Sequence, residues 1–460
     1  MKSNPLAILG QGLAIRPLRA VDFILAIVVF AATLNGYLHS PMKPNNDGVW
    51  TYPTTLSLLK YGNQNLNWFF ATPYCVGQVA PGARFGVKKI LPDGKVRQLD
   101  KVEKRLTVTK AFYANFFPLG PSLIAMPHAI VNQWLGRGDL YTLDRDACEV
   151  ACLATALAAA LLFLTLRAEA SIWLALLLTG VFAFATNAWS CGTAGLLQHG
   201  PSMLCLTAGL LLFTRGYGGL AGFPLALSYL MRPTNQVVLL VFGLLLLIQN
   251  RKQAYIYALC AALVIVPWLL YNLHFLHRLL PWYYSSYRGH PSFVNTPEAL
   301  PGLLISPNRG LFVFSPILLL APIGAWMRWR EKQWRPLDTA MMLSCIGVWA
   351  ASATFIYWWA GFSFGPRILT DIGPFLVMGS VYPIQRLCRA RWSYKAPLGV
   401  LVVAALAFSG FVQYRGAVDF AGSSQWNVSF RDNVNRQEAW VDKNSKRVWD
   451  WSDLQFLRRP

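Results

Sequence analysis

The sequence predicts an all-α polytopic membrane protein. Of its 460 residues, 55% are hydrophobic and 13% are charged, whereas about a quarter of the residues in a soluble domain are charged. The mean hydropathy is +0.38, and the apolar residues form long runs of the length that a membrane-spanning helix needs. This composition excludes an intrinsically disordered chain. The eight cysteines, none of them in a CxxC pair, indicate neither a disulfide scaffold nor a metal site.

About eleven apolar segments are expected to span the membrane, because about 20 mostly apolar residues in a helix cross its hydrocarbon core. The first segment follows Arg16 and Arg19 and lacks a small-residue cleavage pattern. This predicts a retained helix rather than a cleaved signal peptide. In chain order the predicted spans are 21–38, 147–166, 171–188, 200–214, 219–231, 235–249, 254–274, 311–327, 338–358, 368–385 and 396–412.

Basic residues determine the expected orientation. The net charge is +21, but Lys and Arg punctuate the apolar segments instead of forming one soluble basic face, so nucleic-acid binding is not expected. They concentrate in alternate short loops, which predicts that these loops are cytoplasmic. The predicted divisions are a cytoplasmic N-terminus at 1–20, a first span at 21–38, an outer loop at 39–146, spans two to seven at 147–274, an outer loop at 275–310, spans eight to eleven at 311–412 and an outer tail at 413–460.

The first outer loop has two further predicted features. Residues 116–136 are apolar, but counting them as a span would place every later basic loop outside, so they are expected to form an interfacial or re-entrant helix. Residues 84–110 predict a small β-hairpin with its turn at 92–94. This hairpin is basic, with nine Lys or Arg and three acidic residues.

All three large polar pieces are therefore predicted on the outer side, which favours an enzyme that works at the outer leaflet. A transporter commonly has two similar halves with polar residues near mid-membrane, and the sequence has neither. A lipid-linked oligosaccharide transporter or polymerase is the alternative. A membrane scaffold without catalysis leaves the arginine and aromatic clusters of the outer side unexplained.

Asp47 is the candidate catalytic residue. It follows the first span in PNNDGVW and precedes a predicted interfacial helix, so its carboxylate is expected close to the membrane surface. A carboxylate in this position can take the proton of an acceptor hydroxyl as a general base. The alternative is a structural turn residue, because Asn-Asp-Gly is typical of turns.

Three arginines at the outer ends of predicted spans are candidate ligands of a donor phosphate: Arg232 in YLMRPTN, Arg309 in LLISPNRGLF and Arg367 in WWAGFSFGPRILTD. A planar guanidinium forms the bidentate hydrogen bonds that suit a phosphate. Glycines beside Arg309 and Arg367 allow a headgroup to approach closely. Ordinary contact with lipid headgroups is the alternative for all three.

Four further residues are candidates for substrate binding. Gln198 and His199 lie in LLQHGPS at the outer start of a predicted span, and Tyr284 and Tyr287 belong to an aromatic group on the same face. Sugar binding uses aromatic platforms, but membrane proteins also carry interfacial aromatic belts. A single His is frequently a structural hydrogen-bonding residue.

The order of several short motifs along the chain resembles the glycosyltransferase C superfamily. These motifs are Asp47, LLKYGN, FPLGPSLIAMPH, LLQHGPS, the RPT turn, SPNRGLFVFSP and GFSFGPRILTD. Members of the superfamily include protein O-mannosyltransferases, the lipid A aminoarabinose transferase and oligosaccharyltransferases. The resemblance covers most of the chain in layout. It implies a polyprenyl-phosphate or polyprenyl-diphosphate sugar donor, a glycan, lipid or protein acceptor, and inverting transfer with Asp47 as the base. It also implies a multi-pass protein of the bacterial inner membrane with its site on the periplasmic side.

One feature of the superfamily is missing. Many members carry a second acidic residue in the outer loop after the third span, but here that loop reads NAWSCGTAGLLQHG. This departure counts against a metal-bound mechanism, although the use of a divalent metal ion is left as an open alternative. No other cofactor is predicted. A sugar that leaves as its lipid phosphate needs positive charge where negative charge develops. One carboxylate and several arginines are thus the expected residues of such a transferase.

Overall fold

The computed structural model describes residues 17–41, 47–70, 87–91, 96–98, 112–285, 293–419, 424–428, 440–442 and 444–458. Within these ranges the chain is mostly helical. The helices that are long and apolar enough to cross a membrane are Ala20–Leu38, Leu140–Leu166, Arg251–Leu276 and Trp392–Val418. Shorter apolar helices are Ile172–Phe184, His199–Thr214, Gly222–Met231 and Pro233–Gln249. The protein is thus a multi-pass membrane protein, and its total number of spans stays a prediction.

The described α-helices are α1 Ala20–Leu38, α2 Thr51–Tyr61, α3 Asn67–Phe70, α4 Gly120–Trp134, α5 Leu143–Leu166, α6 Ile172–Phe184, α7 His199–Thr214, α8 Gly222–Met231, α9 Gln236–Gln249, α10 Arg251–Leu276, α11 Trp282–Ser285, α12 Thr296–Ile305, α13 Leu311–Phe314, α14 Leu320–Arg330, α15 Pro336–Ala353, α16 Gly373–Gly379, α17 Val381–Arg389 and α18 Trp392–Val418. Short 3₁₀ turns lie at Leu140–Thr142, Pro233–Asn235, Pro316–Leu319, Arg367–Ile372, Ser445–Trp449 and Gln455–Leu457, and a π-helical turn lies at Ala188–Gly192.

Two of the predicted spans are broken helices. The segment predicted at 311–327 consists of α13, the 3₁₀ turn Pro316–Leu319 and α14, because a proline inside a helix removes a hydrogen bond and clashes with the preceding turn. The segment predicted at 368–385 starts in the 3₁₀ turn Arg367–Ile372 and becomes regular only in α16 and α17. In the second turn residues 368–372 are buried, and in the first turn Ile317 and Leu318 are buried while Leu319 is exposed. Irregular backbone at membrane depth is tolerated in such protein-lined surroundings.

Helix α5 lies at the centre of the bundle. Its apolar stretch is 78% buried, compared with 22% for α10 and 17% for α18. It packs against α1, α6 and α7 with a surface rich in alanine, since Ala151, Ala156, Ala158 and Ala159 are 0% exposed. Small side chains let the backbones of neighbouring membrane helices approach closely. Helices α10 and α18, in contrast, expose their apolar side chains as a lipid-facing helix does.

A small antiparallel sheet lies between α3 and α4. Strand β1 (Val87–Ile90) pairs with β2 (Val96–Gln98), and Ile90 lies opposite Val96. On its other side β1 pairs with β3 (Phe112–Asn115), a strand that the hairpin prediction did not include. Most of the basic residues predicted at 84–110 and the turn at 92–94 lie outside the described residues. Strand β3 leads into α4, which corresponds to the apolar segment predicted as an interfacial helix.

The loops predicted to be cytoplasmic meet at one end of the bundle. Glu169 pairs with Arg328 at 2.8 Å and with Arg335 at 2.6 Å. Arg167 pairs with Asp22 at the start of α1. The candidate catalytic and binding residues on the described segments meet elsewhere in the structure, and they share no contact with this network. Which side of the membrane each end faces stays a prediction.

Candidate active site

Asp47 lies in the turn that precedes α2. The next residue, Gly48, is packed so tightly that an added Cβ would lie 3.0 Å from the carbonyl oxygen of Leu196. Glycine therefore lets this turn lie directly against the segment that leads into α7. The Asp47 side chain itself is 26% exposed, which leaves its carboxylate within reach of a ligand.

Arg367 is the partner of Asp47, although the two residues are 320 positions apart in the chain. Arg367 Nη2 donates to Asp47 Oδ2 at 3.1 Å and to the carbonyl oxygen of Ala360 at 3.2 Å. Its Nε–H is buried and has no hydrogen-bond acceptor among the described residues. A buried donor without an acceptor is costly and is normally filled by water or a ligand. Arg367 thus has a hydrogen-bonding direction that a bound anion can use.

His199, Arg232 and Asp371 form a second group, and each is less than a tenth exposed. Nη1 of Arg232 pairs with the Asp371 carboxylate and lies 3.3 Å from Nδ1 of His199. Nδ1 of His199 is 3.6 Å from Oδ1 of Asp371, a distance too long for a hydrogen bond. Asp371 therefore compensates the charge of Arg232 inside the protein.

One 3₁₀ turn connects the two groups. Arg367 and Asp371 both belong to the turn Arg367–Ile372, which joins them to the start of α16. Arg232 donates to the carbonyl oxygen of Ile368 at 3.0 Å, so it also holds the backbone immediately after Arg367. The buried group thus fixes the turn from which Arg367 reaches Asp47.

Arg309 has a different environment from the one expected for a phosphate ligand. Its side chain is buried, with 1% exposure for the residue. All five N–H groups of its guanidinium donate to protein oxygens at 2.6–3.2 Å, which are the carbonyl oxygens of Asn308, Trp359 and Gly361 and the side-chain oxygens of Asn427 and Gln455. A guanidinium has five N–H donors, so none is left for a phosphate. To bind the phosphate of the sugar donor, Arg309 would need an N–H group without an acceptor, and in this arrangement it has none.

The candidate substrate residues differ in whether their polar groups are already hydrogen-bonded within the protein. Tyr284 donates from its hydroxyl to the carbonyl oxygens of Tyr229 and Leu230, at 3.0 Å from each, which ties α11 to the end of α8. The neighbouring Tyr283 lies with its hydroxyl 3.4 Å from Oε1 of Gln198. Gln198 precedes His199 at the start of α7. The remaining candidate, residue 287, lies outside the described residues.

Several residues of the site were not singled out from the sequence. Asp371 follows Arg367 by four positions, a spacing that places two side chains on one face of an α-helix, and this local signal could have indicated it. Gln455 and Asn427 had no local signal, because their role depends on contacts with a residue more than a hundred positions away. Within the described part of the chain, no three His, Cys, Asp or Glu residues are grouped as metal ligands.

Comparison with known proteins gives one kind of match. No family model and no curated protein sequence matches the chain. Among solved structures, the chain is similar to ArnT from Cupriavidus metallidurans bound to undecaprenyl phosphate, with a TM-score of 0.47 and 13% identity. The match covers 88% of this chain and 70% of that chain.

Proposed function

We propose that the protein is a membrane glycosyltransferase that moves a sugar from a polyprenyl-phosphate or polyprenyl-diphosphate donor to an acceptor hydroxyl at the outer face of the membrane. The observation that carries this proposal is the Asp47–Arg367 pair. It joins a partly exposed carboxylate to a guanidinium whose buried Nε–H has no acceptor among the described residues. Transfer from a lipid phosphate needs one group for the acceptor proton and one for the departing phosphate.

In the proposed reaction, Asp47 takes the proton of the acceptor hydroxyl as that oxygen attacks the anomeric carbon of the sugar. The bond between the anomeric carbon and the phosphate oxygen breaks, and the phosphate keeps the electron pair. Arg367 stabilises the negative charge that develops on that phosphate. A phosphate leaves without protonation, so a second carboxylate of the kind that a glycosidase uses as an acid is not required. Attack opposite the phosphate would invert the anomeric configuration.

The ion pair has a second proposed consequence. Asp47 is bound to Arg367 at 3.1 Å. A donor phosphate that binds Arg367 competes with Asp47 for the same guanidinium and so leaves the carboxylate available for the acceptor hydroxyl. We propose that Arg232 acts differently, since Asp371 already balances its charge and its hydrogen bond to Ile368 supports the turn that carries Arg367.

The catalytic part of the proposal is tested with Asp47→Asn in purified protein. The amide keeps the size of the side chain but cannot take a proton, so transfer should fall by about two to four orders of magnitude, while donor binding is retained. Asp139→Asn is the matched control, because Asp139 is an exposed turn residue of the same outer loop. Near wild-type transfer by Asp47→Asn would mean that Asp47 is only a turn residue, as in a transporter or polymerase.

Two further measurements define the reaction. Mass-spectrometric comparison of envelope glycans with and without the gene identifies the transferred sugar and its acceptor. Cysteine accessibility labelling of Ser424→Cys and Lys332→Cys tests the proposed side of the membrane. Label that cannot cross the membrane should reach Ser424→Cys from outside and Lys332→Cys only after the cytoplasmic side is opened. The reverse labelling would place the Asp47–Arg367 pair on the cytoplasmic side.

A further inference from the structure

The 359–365 strap, which comprises residues 359–365 in WWAGFSFGPR, carries the carbonyl that orients Arg367. Ala360 and Gly361 have φ values of +64° and +57°, in the left-handed region that an alanine seldom occupies. Such a conformation is strained for an alanine and persists only where surrounding contacts impose it. The carbonyl oxygen of Ala360 accepts a hydrogen bond from Arg367 Nη2. The contacts that hold the strap therefore affect the direction of Arg367.

Arg309 holds the strap on both sides of that carbonyl. Its Nε donates to the carbonyl oxygen of Trp359 at 2.6 Å, and its Nη2 donates to that of Gly361 at 3.2 Å. These two bonded carbonyls flank Ala360, whose own carbonyl oxygen is left for Arg367. Arg309, which has no donor left for a phosphate, thus bonds the two residues on either side of Ala360, and Ala360 bonds Arg367.

Gln455 of the C-terminal tail holds the other half of the strap. Its Nε2 donates to the carbonyl oxygen of Ser363 at 2.8 Å, and its Oε1 accepts from the backbone N–H of Gly365 at 3.0 Å. The same Oε1 accepts from Arg309 at 2.7 Å. Gly365 also has a positive φ of +55°, and an added Cβ would lie 2.5 Å from the ring of Phe314. The strap is therefore bound at both halves by two side chains that also bind each other.

The tail that carries Gln455 is anchored independently of its contact with the strap. Asn308 accepts from the backbone N–H of Gln455 at 2.7 Å and donates to the carbonyl oxygens of Arg447 and Asp450 at 3.1 Å. Trp426 stacks near the Arg309 guanidinium, at 5.0 Å from the ring centroid. The tail is thus fixed to the outer loop immediately before Arg309.

We propose that Arg309 and Gln455 are positioning residues for the transfer reaction, and that the C-terminal tail is a required part of the active site. They act through the strap by presenting the Ala360 carbonyl to Arg367, which keeps the guanidinium directed at Asp47 and at the donor phosphate. This inference rests on the proposed function, because the strap can affect catalysis only if Arg367 takes part in sugar transfer. A tail that only completes the fold would affect stability and leave the kinetic constants of the folded enzyme unchanged.

The test compares Arg309→Lys and Gln455→Ala with the control Arg415→Lys, all as full-length protein. Among the described residues, Arg415 bonds to the tail at Phe456 and Arg458 and pairs with Asp419, without a bond to the strap. A catalytic group that is displaced by up to about one ångström can lower the rate by up to about 100-fold. We expect Arg309→Lys and Gln455→Ala to lower kcat by about 10- to 100-fold and to raise the donor KM, with the acceptor KM unchanged. Arg415→Lys should have kinetic constants close to those of the wild type.

A double substitution shows whether the effect passes through Arg367. Gln455→Ala should cause little further loss in an Arg367→Ala background, because residues that act through one another are not additive. Full additivity, or an unchanged donor KM in both single variants, would overturn the positioning role. If Arg309→Lys does not fold, Gln455→Ala alone decides between these outcomes.

Hydrogen exchange separates this inference from the proposed function. Backbone amides in 357–367 should exchange faster in Gln455→Ala than in Arg415→Lys, whether or not transfer is measured. Equal exchange in the two variants would overturn the claim that the tail holds the strap. Faster exchange combined with wild-type transfer in Asp47→Asn and Arg367→Ala would overturn the proposed function and the catalytic role of the tail, while the structural contact stands.

Discussion

The surroundings of Arg309 and Arg367 differ in how many hydrogen-bond acceptors they offer. Arg309 donates to five protein oxygens, whereas Arg367 has one carboxylate, one carbonyl and a buried Nε without an acceptor among the described residues. Both arginines lie near a glycine, and both contact the same strap. The difference teaches that a buried arginine is a candidate ligand for an anion only where its donors exceed the acceptors that the protein supplies.

The acceptors also differ in charge. Every oxygen that accepts from Arg309 belongs to a peptide or to an amide side chain, while Arg367 faces the carboxylate of Asp47. A hydrogen bond to a charged group is stronger than one to a neutral group, but a carboxylate can be displaced by another anion. Arg309, by contrast, has only neutral acceptors and no bound anion that an incoming phosphate could displace. The Arg367 environment therefore suits ligand exchange, and the Arg309 environment suits a fixed structure.

Between these two arginines, the larger effect is expected from a substitution of Arg367. Arg367→Ala removes the proposed phosphate ligand, and loss of one donor to a developing negative charge typically lowers kcat by about 10²- to 10³-fold. Arg367→Lys should restore little, because an ammonium lacks the planar fork that can bond Asp47, Ala360 and a phosphate together. Donor titrations of transfer by the purified variants measure both effects. Unchanged donor dependence in Arg367→Ala would remove this arginine from the site.

A smaller effect is expected from removing one acceptor of Arg309. Asn427→Ala deletes the side-chain oxygen that accepts from Arg309 at 2.8 Å. A buried donor left without a partner costs about 1–3 kcal/mol, so the thermal unfolding midpoint in detergent should fall. Any transfer defect should be well below that of Arg367→Ala, since four of the five acceptors remain. A loss of transfer as large as that of Arg367→Ala, at an unchanged unfolding midpoint, would contradict the structural assignment of Arg309.

The comparison also shows which features a sequence of this kind can reveal. Long apolar runs predicted helices such as α1, α5, α10 and α18, because the bilayer sets their length and composition. Pro316 and the Arg367–Ile372 turn interrupt two predicted spans, which hydropathy does not register. Strands β1 and β2 pair in the structure, but the turn predicted between them lies outside the described residues. The further partner β3 lies beyond the predicted hairpin in the chain and gave no local signal.

Pattern alone could not separate the arginines. The motifs SPNRG and FGPR both place arginine near glycine, and both were interpreted as phosphate sites. What distinguishes them is the presence of Gln455 and Asn427 beside Arg309 and of Asp47 beside Arg367, contacts that span from more than a hundred to 320 positions in the chain. Such contacts follow from the assembled helices, and no residue spacing near either arginine encodes them.

The smallest expected effect extends the comparison from arginine to Tyr284. The sequence favoured Tyr284 as a sugar-binding residue, but its hydroxyl lies 3.0 Å from the carbonyl oxygens of both Tyr229 and Leu230. By the same count of donors and acceptors, this hydroxyl is already used inside the protein. Tyr284→Phe keeps the ring and removes the hydrogen bond, so it should cost about 0.5–1.5 kcal/mol of stability.

For transfer, the count of acceptors and the sequence-based interpretation predict opposite results for Tyr284→Phe. If the hydroxyl only ties α11 to α8, the unfolding midpoint falls slightly and both substrate KM values stay at the wild-type level. If the hydroxyl contacts the sugar, donor or acceptor KM rises, because a site built to bond a hydroxyl loses affinity when its partner is removed. Tyr283→Phe is the matched control, since its hydroxyl approaches Gln198 at 3.4 Å beside His199. A raised KM in Tyr284→Phe with a wild-type KM in Tyr283→Phe would show that counting acceptors fails for hydroxyl groups, even where it holds for guanidinium groups.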